Sequence, residues 1–163
     1  MASLRWLKII GLILIIAVVQ VNVLPALWFL QITPDLLLIT VILLAMNIGK
    51  LPRLMIFAFL CGLLKDIFGI RFFGFNTLMF GFYAFCVYFI LKYLYRETGW
   101  IEFIFLLSAT FLHYIILTFI IGRSYIAIGV IEAAMNCLLM PPIAKCLQPI
   151  ITLKAPRHNV REV

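Results

Sequence analysis

The residues of this sequence best suited to chemistry are two neighbours, Lys65 and Asp66. They lie at the end of an apolar run that begins after Arg53. Two glycines that are expected to break the helix, Gly69 and Gly74, follow them. An ionised carboxylate inside the hydrocarbon of a membrane is costly, so an acid at that depth is expected to face a partner, a cavity or water. Asp66 is therefore the first candidate for a functional residue.

The composition identifies the chain as an integral membrane protein. Of its 163 residues, 66% are hydrophobic and 12% are charged, and the mean hydropathy is +1.22. A soluble domain does not stay in solution with such a composition. At roughly 20 residues per span, the length accommodates about six helices and no separate soluble domain. The net charge of +7 is typical of basic cytoplasmic loops, so nucleic acid is not an expected partner.

Six membrane helices are predicted from the apolar runs and turn residues, which gives an all-α bundle. Pro34 and Asp35 suit the start of the second helix, because proline fits the first turn and an acid complements the positive end of the helix dipole. Pro141 and Pro142 are expected to bend or end the last helix. The predicted helices cover residues 9–23, 34–49, 54–64, 76–91, 100–121 and 126–140.

The distribution of basic residues predicts the orientation of the bundle. Six spans place both termini on one side, and ten of the 13 Lys and Arg residues fall on that side. The other three are Lys65, Arg71 and Arg123. Because positively charged loops stay in the cytoplasm, both termini are expected there. Residues 1–153 then form one membrane domain, and residues 154–163 form a polar cytoplasmic tail.

Polar residues of the predicted helices lie at similar depths. At a rise of about 1.5 Å per residue, those of the first, third and fifth helices lie about 20 Å from the inner interface. Glu132 lies roughly 9 Å below the outer interface, with Asn136 one turn further on the same face. The candidate pocket residues in this outer half are Gln20, Asn22, Lys65, Asp66, His113, Glu132 and Asn136.

Two interpretations of these polar residues remain open. In the first, each is satisfied singly by a backbone carbonyl or a neighbour, with Lys65 and Arg71 reaching outward to pair with Asp66 and Glu132. In the second, they form one pocket that opens to the outside and binds a ligand. The sequence has no phosphate-binding glycine loop, HExxH or CxxC motif, or nucleophile with a base at a recognisable spacing. We therefore expect no enzymatic activity, no cofactor and no metal site.

A set of motifs along the chain resembles the rod-shape-determining protein MreD family. The resemblance covers nearly the whole chain and is most specific between residues 62 and 78, although residues 67–73 are bulkier than is usual in such proteins. Its motifs are Pro34-Asp35-Leu36-Leu37, a basic turn, Gly62-x-x-x-Asp66, Gly74-Phe75-Asn76-Thr77-Leu78, and Asn136 before a proline in the last helix.

The resemblance implies a non-enzymatic inner-membrane component of the bacterial cell-elongation complex. Its partner would be the bitopic protein MreC, and indirectly MreB and the polymerase RodA with its penicillin-binding transpeptidase. The MreD family also resembles the six-helix substrate-binding components of energy-coupling vitamin transporters, so transport is the alternative function. Those components usually dock their coupling subunit through paired small residues at i and i+4 of helix 1, and this chain has no such pair.

Glycines are expected to provide the helix-helix contacts of this chain. Small residues let two membrane helices approach closely. Gly62, Gly74 and Gly81 are therefore predicted to contact the helix of the partner protein. Internal packing and a homodimer are the alternatives for the same residues.

Overall fold

The helices are described by a computed structural model that covers residues 2–27, 32–69, 73–93, 100–122, 124–147 and 149. Over these residues the chain is all-α, with six helices and no strand, which confirms the predicted class. The first helix contains one π-helical turn, at Val19–Val23. The helices are α1 (residues 2–27), α2 (Leu36–Asn47), α3 (Leu51–Phe68), α4 (Phe75–Tyr93), α5 (Trp100–Ile121) and α6 (Ile126–Leu147).

Four of these helices, α1, α4, α5 and α6, are long and apolar enough to cross a membrane. The chain is thus a multi-pass membrane protein. Helix α3 has 18 residues but carries three charges, on Arg53, Lys65 and Asp66. Helix α2 has only 12 residues, about 18 Å, which is shorter than the hydrocarbon core of about 30 Å. Helix α2 is therefore shorter than the predicted second helix over residues 34–49, and its crossing of the membrane stays a prediction.

The short helix α2 lies at the centre of the bundle. It contacts each of the other five helices, and every residue from Leu36 to Met46 is buried. A helix that is apolar on all sides is stable in this position because neighbouring helices surround it completely. The N-terminal end of α2 is consequently an internal point on which the other helices converge.

Three helices, α1, α3 and α6, extend at least four residues beyond their predicted C-terminal ends. Helix α1 continues past residue 23 to residue 27, through its π-helical turn. Helix α3 does not end at residue 64, and the N–H of Gly69 closes its last turn by donating to the carbonyl of Lys65 at 2.9 Å. Helix α6 passes through Pro141 and Pro142 to Leu147. Both prolines are exposed, and membrane helices can accommodate the lost hydrogen bonds by local adjustment.

Helices α3 and α4 form the most extensive pair in the bundle, and two glycines allow their close approach. A Cβ atom on Gly62 would lie 2.4 Å from Cα of Thr77. One on Gly81 would lie 3.1 Å from the ring of Phe59. Gly74 has a φ of +93° in the turn before α4, a conformation that glycine adopts without strain. Gly62 and Gly81 thus serve internal packing, and contact with a partner helix through them stays a prediction.

Candidate functional site

A cavity of about 510 Å³ lies at the end of the bundle where α1, α3 and α5 end and α2, α4 and α6 begin. Residues from every part of this end line it, so the chain's alternating helix directions bring distant polar residues together. Five of the seven predicted pocket residues are among them. The polar and charged lining consists of Gln20, Thr33, Asp35, Lys65, Asp66, Asn76, His113, Tyr114, Tyr125 and Glu132.

Asp35 and Lys65 form an ion pair at the site. The side chain of Asp35 is 3% exposed and that of Lys65 22%. Oδ1 of Asp35 also accepts hydrogen bonds from the N–H of Leu38 at 3.1 Å and from Nε2 of Gln20 at 3.2 Å. The same carboxylate therefore caps α2, satisfying one of its free backbone donors, and neutralises the lysine at the end of α3.

Two amide side chains accept hydrogen bonds from backbone N–H groups at the N-terminal end of α2. Oε1 of Gln20 accepts from the N–H of Leu37 at 2.9 Å, and Oδ1 of Asn136 accepts from the N–H of Asp35 at 2.7 Å. Nδ2 of Asn136 in turn donates to Oγ1 of Thr110 at 3.3 Å. Gln20 lies in the π-helical turn of α1, and such single turns are frequent at functional sites. Four helices thus fix the start of α2.

Asp66 holds the start of α4 in the same way. Its carboxylate accepts from the backbone N–H groups of Asn76 at 3.0 Å and Thr77 at 2.9 Å. It also accepts from Nδ2 of Asn76 at 2.8 Å and Oγ1 of Thr77 at 2.6 Å. The first turn of a helix has unpaired N–H donors, and Asp66 supplies their cap from a neighbouring helix. The expected pairing of Lys65 with Asp66 is wrong, because Lys65 pairs with Asp35.

Glu132 is a buried acid on α6. Its side chain is 8% exposed, and its Oε2 accepts a hydrogen bond from the hydroxyl of Tyr114. Tyr114 is held close to α6 because Gly129 has no side chain, and a Cβ there would lie 2.8 Å from Cγ of Tyr114. Arg71, the predicted partner of Glu132, lies outside the residues that the structure describes.

The remaining two predicted pocket residues at this end have different surroundings. His113 lines the cavity, and its ring lies 5.2 Å from that of Phe75. Its Nδ1 is buried and has no hydrogen-bond partner among the described residues. Asn22, in contrast, is exposed and donates to the carbonyl of Val18 in its own helix at 3.1 Å. The structure therefore does not bring Asn22 into the cluster.

Asp35 and Tyr114, which contact the charged residues of the site, are among the lining residues that the predicted pocket did not include. The sequence analysis treats Asp35 as a helix start and a motif residue, although an acid where one helix begins and a lysine where the next helix ends lie at the same depth in a bundle. That matching depth was the available signal for the Asp35–Lys65 pair. Tyr114 offered no signal, since its hydroxyl is indistinguishable in the sequence from those of interfacial tyrosines.

The polar and charged side chains of the site can bind a ligand through ion pairs and hydrogen bonds. Within the described part of the chain, no group of three His, Cys, Asp or Glu residues is placed to hold a metal ion. Comparisons with known proteins add no assignment, because the chain matches no protein-family model, no curated protein and no solved structure.

Proposed function

We propose that this protein is a non-enzymatic inner-membrane component of the bacterial cell-elongation complex. In this role it binds an MreC-like bitopic protein and helps to regulate lateral cell-wall synthesis and cell shape. The observation that supports it is the convergence of the MreD-like motifs. Asp35, Asp66, Asn76 and Asn136 come from four separate motifs, and all four hold helix starts at one end of the bundle. These motifs thus coincide with one physical unit.

The partner is expected to bind within the membrane. The connections that the structure describes between helices are short, for example residues 48–50 between α2 and α3. A single-span helix of an MreC-like protein can instead lie against α3 and α4, where large side chains face outward. These include Phe59 on α3 and Phe82 on α4, 41% and 51% exposed. MreB and RodA with its transpeptidase would be reached through that partner.

Co-purification and cell shape together test this role. Depletion of the protein in its host should turn rods into round cells, and the MreC-like protein should co-purify with it from detergent. Phe82→Ala should reduce the co-purified amount several-fold, because it removes a contact on the proposed surface. Phe119→Ala is the matched control, since Phe119 is 85% exposed on α5 and away from that surface. Normal rod growth on depletion would contradict the proposal.

The proposed orientation places both termini in the cytoplasm and the cavity towards the outside. It rests on the distribution of Lys and Arg, ten of 13 of which lie on the side of the termini. Alkaline phosphatase fused after residue 163 should be inactive, and a fusion after residue 122, between α5 and α6, should be active. The opposite pattern would reverse the orientation.

The second candidate is the substrate-binding component of a vitamin transporter. The observation that favours it is the cavity of about 510 Å³, which lies within the usual range of small-molecule sites, about 300–1,000 Å³. On this alternative, depletion would abolish uptake of one vitamin and leave cell shape unchanged. The same depletion experiment therefore separates the two candidates.

A further inference from the structure

Two acids at the cavity, Asp66 and Glu132, form no ion pair among the described residues, and they differ in their hydrogen-bond donors. Lys65 is paired with Asp35, and Asp66 receives four hydrogen bonds from the start of α4. Glu132 has hydrogen bonds with the hydroxyl of Tyr114 and the side chain of Asn136 but forms no ion pair in the described part of the chain. A carboxylate that is 8% exposed is costly in such a position unless a cation or several donors approach it.

Two further polar atoms at the cavity lack hydrogen-bond partners. Oδ1 of Asn76 is buried and unpaired among the described residues, as is Nδ1 of His113. The orientation of the Asn76 amide follows from its other contact, because Nδ2 donates to the carboxylate of Asp66 at 2.8 Å and a carboxylate only accepts. Oδ1 of Asn76 is therefore a hydrogen-bond acceptor that lacks an N–H or O–H donor among the described residues.

The lining includes several aromatic side chains. Phe68, Phe75, Tyr114 and Tyr125 all line the cavity, together with the ring of His113. The faces of aromatic rings carry partial negative charge and attract ammonium groups, most strongly where water is excluded. A buried acid, an unpaired hydrogen-bond acceptor and aromatic side chains together favour a ligand that has a cationic group with N–H donors and an organic part.

We propose that this cavity binds a primary ammonium group carried by an organic molecule, with the cation held by Glu132 and an N–H donated to Oδ1 of Asn76. A soluble amine and the ethanolamine headgroup of a phospholipid both carry this group. The proposal concerns the cavity alone and is independent of membership in a cell-elongation complex.

Three probes of one shape separate charge from size in the purified protein. Phenethylamine, 2-phenylethanol and phenylacetate share a phenyl ring and a two-carbon or shorter arm, but differ in their cationic, neutral and anionic ends. Phenethylamine is expected to raise the thermal midpoint by several degrees, while the other two are not. Glu132→Gln should weaken phenethylamine binding about tenfold or more, and Glu102→Gln, at the opposite end of the bundle, should leave it unchanged.

The lipid source is tested in nanodiscs of phosphatidylglycerol with and without phosphatidylethanolamine. A stabilisation by phosphatidylethanolamine that disappears in Glu132→Gln assigns the headgroup as the ligand, even if phenethylamine has no effect. If Glu132→Gln does not fold, Tyr114→Phe is measured instead, and weaker binding is expected because the contact that orients Glu132 is lost. Equal stabilisation by all three probes, or no effect of either phenethylamine or phosphatidylethanolamine, overturns the proposal.

Discussion

Asp35→Ala is expected to lower the free energy of unfolding by about 3–5 kcal/mol, the range for breaking a buried ion pair from one side. The substitution leaves the ammonium of Lys65 without its carboxylate at a position where the lysine side chain is only 22% exposed. It also removes the acceptor for the N–H of Leu38 and for Nε2 of Gln20. The loss is large because the remaining charge keeps its desolvation cost without a compensating partner.

A double-mutant cycle measures this coupling directly. Asp35→Ala, Lys65→Met and the double variant are unfolded in mixed micelles by increasing mole fractions of a denaturing detergent. The double variant is expected to be more stable than Asp35→Ala alone, since no unpaired charge remains. Glu102→Ala is the control, because Glu102 lies half-buried in the first turn of α5. Additive effects of the two single substitutions would contradict an ion pair that stabilises the fold.

The general architecture could be predicted because apolar periods and turn residues define membrane helices directly. The bounds of α5 agree with the prediction at both ends, since the apolar run from Trp100 to Ile121 is closed by Gly122. The convergence of Gln20, Lys65 and Glu132 at one end also follows from counting residues, because helix rise is constant. These features depend only on local sequence and on the alternation of helix direction.

The central position of α2 could not be predicted in this way. An apolar run such as Leu36–Met46 has the same sequence pattern whether lipid or other helices surround it. Only tertiary packing distinguishes the two cases, and here every residue of that run is buried by protein.

Depth alone did not decide between Asp35 and Asp66 as the partner of Lys65, for a geometric reason. Lys65 and Asp66 are neighbours in the chain, but successive residues of a helix point about 100° apart. Lys65 therefore reaches Asp35 at the start of α2, while Asp66 reaches Asn76 and Thr77 at the start of α4. Which helix lies on which side is set by the packing of the whole bundle.

The largest steric effect is expected at Gly62, where α3 and α4 are closest. In Gly62→Ala the new Cβ would lie 2.4 Å from Cα of Thr77 and 2.7 Å from the carbonyl oxygen of Asn76. Both are backbone atoms, so no side-chain rotation relieves the overlap and the helices must separate. Overpacking of this kind typically costs about 1–3 kcal/mol, and Gly62→Leu is expected to prevent stable folding.

The damage should extend to the site, because Asp66 lies one turn beyond Gly62 on α3. Any separation of α3 from α4 lengthens the hydrogen bonds from Asn76 and Thr77 to the carboxylate of Asp66, which are 3.0 and 2.9 Å in the native packing. The start of α4 would then lose its cap. The losses of stability caused by Gly62→Ala and by Asp66→Ala should consequently be less than additive in the double variant, since both substitutions disrupt one contact.

Gly11→Ala is the matched control for the loss of a helical glycine. A Cβ on Gly11 meets no atom within 4 Å, so the substitution should raise stability by up to about 1 kcal/mol through helix propensity alone. A gain in stability for Gly11→Ala and a loss for Gly62→Ala would show that the α3–α4 contact requires glycine at position 62. A Gly62→Ala variant as stable as the native protein would contradict this. Because Gly62→Leu is expected to unfold the bundle, its loss of a partner protein would not identify a partner surface. The partner surface is tested instead by Phe82→Ala, because Phe82 faces outward.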